Sequence, residues 1–233
     1  DVAPRPLNIV LVDGPKDHGP GEHDYPAWQR VWEQLLTADA TLTVSTAREF
    51  PNDEQLAVAD VVIFFQKGSF DGPRPDKLDA FLKRGGGAVY IHWAVNGDER
   101  APEFSRRIGL ASRGGNIKFR HGPLTLDIHN TDHPIVRNFD QLQLYDESYW
   151  LLSGDRGDST LLATSTEDGL PTPQLWVRDH KPGRVFVSIP GHYSWTFDDP
   201  LFRILLLRGI AWTAKEPVDR FNELVPLGAR MSW

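Results

Sequence analysis

The sequence contains no cysteine, and this absence alone excludes several kinds of chemistry. Without cysteine the chain has no disulfides, no thiolate metal ligands and no cysteine nucleophile. Long hydrophobic runs are missing too: residues 61–65 and 204–207 are among the longest. A helix that crosses a bilayer needs about 20 apolar residues, so we expect no membrane insertion.

A basic surface is also missing. Acidic residues outnumber basic ones by 32 to 25, and no cluster of lysine and arginine reverses this balance locally. Because nucleic-acid binding needs a positive face against the phosphates, we expect no nucleic-acid partner. A chain of 233 residues is long enough to bury a core of its own. No repeat or linker divides it, which predicts a single domain over residues 1–233.

Both ends of the chain leave alternatives open. The chain begins at Asp1 without an initiator methionine, which is expected of a mature protein that has lost a signal peptide, or of a sequence trimmed for another reason. The first alternative predicts a periplasmic or secreted protein. The C-terminal residues 218–233 contain Phe221, Leu224 and Leu227, which pack either on the body of the protein or on a partner. Formation of a homo-oligomer is left open.

Short apolar runs alternate with amphipathic segments in the first part of the chain. The predicted strands are residues 7–12, 41–45, 61–65 and 88–91, and the predicted helices are residues 25–38 and 76–84. Asp24 is the predicted N-cap of the first helix, and Pro26 suits its first turn. Strands and helices that alternate at this spacing predict βαβ units and therefore a parallel sheet.

The middle of the chain has a different pattern. Residues 116–149 contain short alternating segments, such as residues 124–128, and no strong helix. This pattern predicts an inserted antiparallel section. A strand at residues 184–189 and a helix at residues 200–214 then return to the parallel type of organisation. The sequence therefore predicts an α/β protein.

Histidines follow three of the predicted strands. The loop after the first strand contains His18 and His23, the fourth strand continues into His92, and residues 184–189 lead through Pro190 and Gly191 to His192. Each has a structural alternative, as a core histidine at a strand end or as a residue of a loop or turn. Ligands of parallel sheets bind beyond the carboxyl ends of the strands, so three histidines at this edge favour a site.

Two adjacent carboxylates lie among large aromatic residues. Asp146 and Glu147 are flanked by tyrosine and tryptophan in residues 145–150. Apolar neighbours raise the pKa of a carboxylate unless a cation or metal compensates. The alternative is that only one of the two side chains points inward and pairs locally. Three histidines and a carboxylate form a ligand set that suits Zn²⁺ or a similar divalent ion.

Several common motifs are absent. The sequence has no G-x-S-x-G elbow of a serine hydrolase, no G-x-G-x-x-G after the first strand and no Walker phosphate loop. The glycines at 85–87 are better explained as a helix stop and tight turn than as a phosphate-binding loop.

The motifs in residues 13–23, 85–93, 146–149 and 183–192 resemble the ThuA-like family in order and spacing, over residues 7–212. The resemblance implies a flavodoxin-like three-layer sandwich with a central, mostly parallel sheet, related to class I glutamine amidotransferases. His92 corresponds to the catalytic cysteine of those relatives, so amidotransfer from glutamine is excluded. The family is associated with trehalose and other disaccharide catabolism, including routes through 3-keto sugars, and some members carry a metal.

From the residues and the resemblance together we predict a metal-dependent enzyme that acts on a carbohydrate, a 3-keto-glycoside or a disaccharide, by hydrolysis or elimination. Zn²⁺ is the expected ion, with Mn²⁺ or another divalent cation as alternatives. The predicted metal ligands are His23, His92, Glu147 and His192. The predicted proton-transfer residues are Asp17, Asp146 and His18. The alternatives are a sugar-binding accessory protein without turnover and a structural interaction module.

Overall fold

A computed structural model describes residues 4–229 and residue 231 of the chain, and within them nine strands form one sheet. The strands are β1 (Leu7–Asp13), β2 (Leu42–Arg48), β3 (Val61–Phe65), β4 (Gly87–Ile91), β5 (Lys118–Ile128), β6 (Gln141–Trp150), β7 (Ser159–Glu167), β8 (Leu170–Asp179) and β9 (Arg184–Ser188). The helices are α1 (Tyr25–Thr37), α2 (Asp53–Val58), α3 (Arg74–Lys83), α4 (Ala101–Ile108), α5 (Pro200–Thr213) and α6 (Leu224–Gly228). The prediction of an α/β protein is confirmed.

The sheet has a parallel half and an antiparallel half. Its strand order is β2-β1-β3-β4-β9-β8-β7-β5-β6. The first five strands in this order pair in parallel, and every pair from β9 to β6 is antiparallel. The expectation of a mostly parallel sheet is therefore wrong, because the sheet has as many antiparallel strand pairs as parallel ones. The antiparallel section is present, but it extends the same sheet beyond β9.

The sequence analysis did not predict strands β7 and β8 of the antiparallel half. β8 contains Pro171 and Pro173, which have no backbone N–H to donate to a neighbouring strand and so argue against a strand. In the structure these two prolines lie opposite Thr166 and Thr164 of β7, in the half of β8 that is not paired with β9. Proline is tolerated where the missing donor has no partner strand on that side.

Helix α1 forms as its sequence pattern predicts. The side chain of Asp24 accepts a hydrogen bond from the backbone N–H of Ala27, which caps the first turn. Trp28 and Trp32 lie one turn apart on the buried face and stack on each other, with ring centroids 5.8 Å apart. The helix therefore turns its apolar face to the sheet and leaves its polar face in solvent.

Hydrophobic cores lie on both faces of the sheet. Ile9 and Leu11 of β1 belong to a core with α1 and α5, whereas Val10 and Val12 of the same strand belong to a core with α3 and α4. This alternation follows from the two-residue period of a strand. The C-terminal Phe221 and Leu224 are buried in the first core, so this part of the tail packs on the body of the protein. Residues 1–3, 230, 232 and 233 lie outside the described part of the chain.

Helix α5 packs so closely on β9 that one position has room only for glycine. A Cβ atom on Gly209 would lie 2.4 Å from Cδ1 of Phe186, whose side chain is fully buried.

At 14 residues α5 is the longest helix in the described part of the chain. Among the described residues no helix combines the length and apolar character that crossing a membrane requires.

We predict that Gly209→Ala lowers the free energy of unfolding. Alanine gains about 1 kcal/mol in helix propensity, but overpacking against an immobile ring costs about 1–3 kcal/mol. We therefore expect a net loss of up to roughly 2 kcal/mol in urea denaturation, since the close contact outweighs the propensity. Leu201→Ala, at an exposed position in the first turn of the same helix, is the control and should change stability by less than about 0.5 kcal/mol. A more stable Gly209→Ala protein would contradict this account of the packing.

Candidate metal centre

Four predicted ligands meet at the carboxyl edge of the parallel strands. His23 comes from the loop after β1, His92 follows β4 directly, His192 follows β9 through a Pro-Gly turn, and Glu147 comes from β6. One ligand atom from each of these side chains lies within 4.8 Å of the other three. All four are almost completely buried. The fold thus gathers side chains that are up to 169 residues apart in the chain, from His23 to His192.

Two of these histidines have an unusual backbone conformation. His23 has φ of 42° and His92 has φ of 55°, in the left-handed region that residues other than glycine rarely adopt. Such conformations persist only where surrounding contacts hold them, and they concentrate at functional sites. One such contact is a hydrogen bond of 3.0 Å from the His23 N–H to the carbonyl of His192. It joins the loop after β1 to the loop after β9.

The distances within the cluster are those of direct polar contacts. Nε2 of His92 lies 2.9 Å from Nε2 of His23 and 3.2 Å from Nδ1 of His192. Oε2 of Glu147 lies 3.1 Å from Nε2 of His92 and 2.8 Å from Nδ1 of His192. Nε2 of His92 is therefore at the centre of the cluster.

Hydrogen bonds on the outer side of His23 and His92 determine which ring nitrogen carries the proton. Nδ1 of His92 donates to the carbonyl of Ile189 at 2.7 Å, and Nδ1 of His23 donates to Oδ1 of Asp17 at 2.8 Å. In the neutral rings both Nε2 atoms then carry lone pairs, and these lone pairs oppose each other across 2.9 Å. The contact is favourable only when a proton or a metal cation lies between them.

His192 faces the cluster through Nδ1, whereas His23 and His92 face it through Nε2. Its Nδ1 faces Glu147, while its buried Nε2 has no hydrogen-bond partner among the described residues. Oε1 of Glu22 is the nearest carboxylate oxygen, 3.9 Å from that Nε2. A carboxylate behind a histidine on the side away from the cluster is the usual support of a metal-bound imidazole.

The charges of the cluster favour a cation at its centre. Burial lowers the pKa of His23, and the neighbouring His92 and His192 lower it further. Burial alone would raise the pKa of Glu147, but its contacts with the rings of His192 and His92, which donate to it when protonated, outweigh burial and hold this pKa well below its usual range. Burial likewise opposes a charge on His92, yet Glu147 raises the pKa of His92, which favours a proton on this ring when no other cation is present. A metal ion would take the place of that proton, since metal binding requires neutral imidazoles beside an ionised carboxylate.

Asp17 and His18 lie at the outer side of the cluster. Oδ1 of Asp17 accepts hydrogen bonds from Nδ1 of His23 at 2.8 Å and from Nδ1 of His18 at 2.9 Å. His18 is exposed and lines a cavity of about 230 Å³ in front of the cluster. This pair therefore connects a buried candidate ligand to the space where a substrate would lie.

Asp146 is oriented away from that cavity. Its Oδ1 accepts hydrogen bonds from the backbone N–H groups of Glu147, Gly191 and His192, at 2.6, 3.1 and 3.0 Å, and its Oδ2 accepts from the Thr196 hydroxyl. The side chain is fully buried. With both oxygens engaged, Asp146 holds the turn that carries His192, an arrangement that favours a positioning role over the predicted proton transfer.

Two residues of the cavity were missed by the sequence reasoning. Tyr149 places its hydroxyl 2.9 Å from Nε2 of His92, and burial raises its pKa well above the ordinary value, so the hydroxyl keeps its proton. His121 lies 3.4 Å from Oε1 of Glu147 through Nε2 and 3.0 Å from the Tyr193 hydroxyl through Nδ1. The two-residue alternation of a strand could have placed Tyr149 on the same face as Glu147. His121 could be found only from the pairing of β5 with β6.

The sheet and the cluster define an α/β protein with a histidine and carboxylate centre at the carboxyl edge of parallel strands. The model of the ThuA family, described as trehalose utilisation, matches residues 13–213, so the chain belongs to this family. The resemblance inferred from the sequence motifs is thereby confirmed. No curated protein sequence matches the chain.

Solved structures with the same fold have low sequence identity to this chain. A ThuA-like protein of Parabacteroides merdae is 21% identical with a TM-score of 0.70, and the match covers 90% of each chain. A ThuA-like protein of Bacteroides uniformis is 16% identical with a TM-score of 0.71, over 94% of this chain and 97% of the other. The β-galactosidase of Rahnella sp. R3 is 13% identical with a TM-score of 0.60, and the match covers 91% of this chain but 32% of that enzyme. At these identities the likeness extends to the fold alone.

We predict that Asp146→Asn destabilises the protein although it preserves the shape of the side chain. Hydrogen bonds to a charged acceptor are roughly twice as strong as neutral ones, so losing the charge beneath three N–H groups should cost about 1–3 kcal/mol. The free energy of unfolding from urea titration measures this loss. Asp127→Asn, which alters an exposed carboxylate bonded to Gln141, should stay within about 0.5 kcal/mol of the parent. Equal effects of the two substitutions would contradict the positioning role.

Proposed function

We propose that the protein is a divalent-metal-dependent enzyme that acts on a carbohydrate, a 3-keto-glycoside or a disaccharide, by hydrolysis or elimination. The observation that carries the proposal is the 2.9 Å contact between Nε2 of His23 and Nε2 of His92, two rings that both bond outward through Nδ1. Glu147 and His192 complete the set of three nitrogens and one oxygen, which suits Zn²⁺ and also Mn²⁺. Membership of a family described as trehalose utilisation supports a carbohydrate as the substrate.

The spacing of the four ligand atoms fits a metal ion. Zn–N and Zn–O bonds of about 2.0–2.1 Å in a tetrahedron separate neighbouring ligand atoms by about 3.3 Å. Nε2 of His92 lies 2.9 Å from Nε2 of His23, 3.2 Å from Nδ1 of His192 and 3.1 Å from Oε2 of Glu147. Small movements of the side chains would therefore admit the ion. Asp17 and the Ile189 carbonyl are suited to orient the rings of His23 and His92 from behind, and Glu22, 3.9 Å from His192, would have to move closer to do the same for the third ring.

A bound metal supplies Lewis acidity, to polarise a sugar carbonyl or hydroxyl or to activate a water. The chain itself provides the remaining groups. His18, exposed to the cavity and hydrogen-bonded to Asp17, is suited to accept a proton from the substrate. In a 3-keto-glycoside the keto group makes the C2 proton abstractable. Its transfer to His18 would allow a C1–C2 double bond to form as the C1–O bond breaks, and the same proton can return to the departing oxygen. Tyr149 keeps its proton and can donate a hydrogen bond to a substrate oxygen.

The order of the parallel strands supports the flavodoxin-like classification. Counted along the chain, β2-β1-β3-β4-β9 has the order 2-1-3-4-5 of that type of sheet. Cores on both faces support a three-layer sandwich. The single domain and export to the periplasm or cell exterior stay predictions from the sequence, and formation of a homo-oligomer stays open.

We expect near-stoichiometric Zn²⁺, Mn²⁺ or another divalent metal in the purified protein, lost on chelation and restored on reconstitution. Plasma mass spectrometry measures the metal content. His92→Ala removes the central ligand and should abolish both metal binding and turnover, with the circular dichroism spectrum retained. His129→Ala is the control, because His129 bonds Thr164 away from the cluster. Turnover is followed as free sugar released from trehalose and from 3-keto-glycosides.

Each outcome of this experiment has a consequence. A chain that takes up no metal after reconstitution, or full activity in His92→Ala, would refute the proposal. Bound metal together with saturable sugar binding and no product after long incubation would instead support a sugar-binding accessory protein.

A second prediction concerns the support of His23. Asp17→Asn removes the charge behind this ring without removing a ligand, and such changes typically lower metal affinity about 10–100-fold. Competition with a chelator measures the affinity. Asp71→Asn, at an exposed carboxylate near Arg74, should leave affinity unchanged. An unchanged affinity in Asp17→Asn would mean that Asp17 does not orient a ligand.

A further inference from the structure

The hairpin of β5 and β6 carries a continuous row of side chains past the metal centre. In its antiparallel register Phe119 lies opposite Tyr149, His121 opposite Glu147, and Pro123 opposite Tyr145. Residues two apart on a strand point to the same face, so these pairs share one face of the hairpin. Phe119, His121, Glu147 and Tyr149 line the cavity. Tyr145 is the next residue on the same face of β6, two positions and about 7 Å along the strand from Glu147.

The exposed aromatic side chains of the described residues are concentrated here. Phe119, Tyr145 and Trp195 are 58%, 55% and 47% exposed, and the other strongly exposed large hydrophobic residues in the described chain are aliphatic. Phe119 lines the cavity, and Tyr145 and Trp195 lie beyond it, next to Tyr193. Single exposed hydrophobic residues are normal, but a group of aromatic rings at the mouth of a cavity indicates a binding surface.

Tyr145, Tyr193 and Trp195 form a rigid group, here called the aromatic platform. Trp195 stacks on Tyr193 with ring centroids 4.1 Å apart and an interplanar angle of 13°, and Tyr193 lies 6.1 Å from Tyr145. Nε1 of Trp195 donates to the backbone carbonyl of Tyr145 at 3.1 Å. The indole is therefore held in place although half of it is exposed. A surface that is ordered before binding loses less entropy when a ligand arrives.

The aromatic platform is joined to the metal centre through polar contacts. The Tyr193 hydroxyl bonds Nδ1 of His121, and the Tyr193 backbone forms a β-bridge with Glu22, whose carboxylate lies 3.9 Å from Nε2 of His192. Apolar rings bordered by a carboxylate, an imidazole and hydroxyl groups match a sugar ring, which has apolar C–H faces and a rim of hydroxyls. Stable protein interfaces take about 20–30 residues on each side, so three rings are too small a surface for one by themselves.

We propose that the aromatic platform is a second subsite, which binds the sugar ring adjacent to the one at the metal centre. The inference rests on the proposed function in taking a carbohydrate as substrate, and it narrows the substrate class to compounds with at least two linked sugar rings. Trp195 and Tyr145 are the residues that would contact the second ring. Monosaccharides would occupy the cavity alone.

Binding of one-ring and two-ring sugars tests the proposal. Calorimetric titrations of the metal-loaded protein would use methyl α-glucoside and trehalose, each also as its 3-keto derivative. Stacking of one ring contributes roughly 1.4 kcal/mol, so the two-ring member should bind about tenfold more tightly. Trp195→Ala and Tyr145→Ala should remove this advantage while leaving methyl α-glucoside affinity and metal content unchanged. Trp195→Phe should keep most of the tighter binding of two-ring sugars. Leu170→Ala, at an exposed aliphatic position, should keep all of it.

Other outcomes would overturn the proposal. Equal affinity for one-ring and two-ring sugars, an advantage that survives Trp195→Ala, or no saturable binding of any of the four sugars would each exclude the subsite. If Trp195→Ala dissociates a dimer in sedimentation and leaves the sugar ratio unchanged, the aromatic platform is a contact between copies of the chain. Failure of the proposed function is separable, because metal content is measured independently and the sugar ratio can be repeated on metal-free protein.

Discussion

The contact between Nε2 of His23 and Nε2 of His92 is the interaction on which the rest of the site depends. With both rings neutral the two imidazole lone pairs would repel each other at 2.9 Å, and a proton or a metal cation between them removes this repulsion. Asp17 and the Ile189 carbonyl prevent either ring from turning its N–H inward without losing a buried hydrogen bond. Left-handed backbone at both histidines adds strain to the same place. Such an arrangement is stable around a positive charge, and Glu147 provides its counter-charge.

The fold keeps this arrangement in place through backbone contacts that involve no ligand atom. Asp146 ties the β6 strand to the turn after β9, since it accepts hydrogen bonds from N–H groups of both segments. The N–H of His23 bonds the carbonyl of His192, which ties the loop after β1 to the same turn. Three segments far apart in sequence are thereby coupled within one layer behind the ligands. Movement of any one of them would shift the others.

The two halves of the sheet contribute different parts of the site. The parallel half provides His23, His92 and His192, because its strands all end at one edge. The antiparallel half provides Glu147, together with Tyr149, His121 and the aromatic platform. The hairpin of β5 and β6 therefore supplies the anionic ligand and most of the substrate-facing surface. A purely parallel sheet would hold the histidines but lack the counter-charge and one wall of the cavity.

The sequence by itself determined the elements with strong periodicity and the chemistry at the strand ends. The apolar runs of β1, β3, β4 and β9, and the pattern and Asp24 cap of α1, were readable because hydrophobic burial and capping act locally. The common edge of His23, His92 and His192 followed from parallel strands. Only the tertiary structure decided that β8 pairs despite its prolines, that Glu147 faces the site while Asp146 faces the backbone, and that His121 and Tyr149 join them. These features depend on the register of paired strands and on the phase of the pleat, which arise from contacts between distant segments and leave little trace in the local sequence.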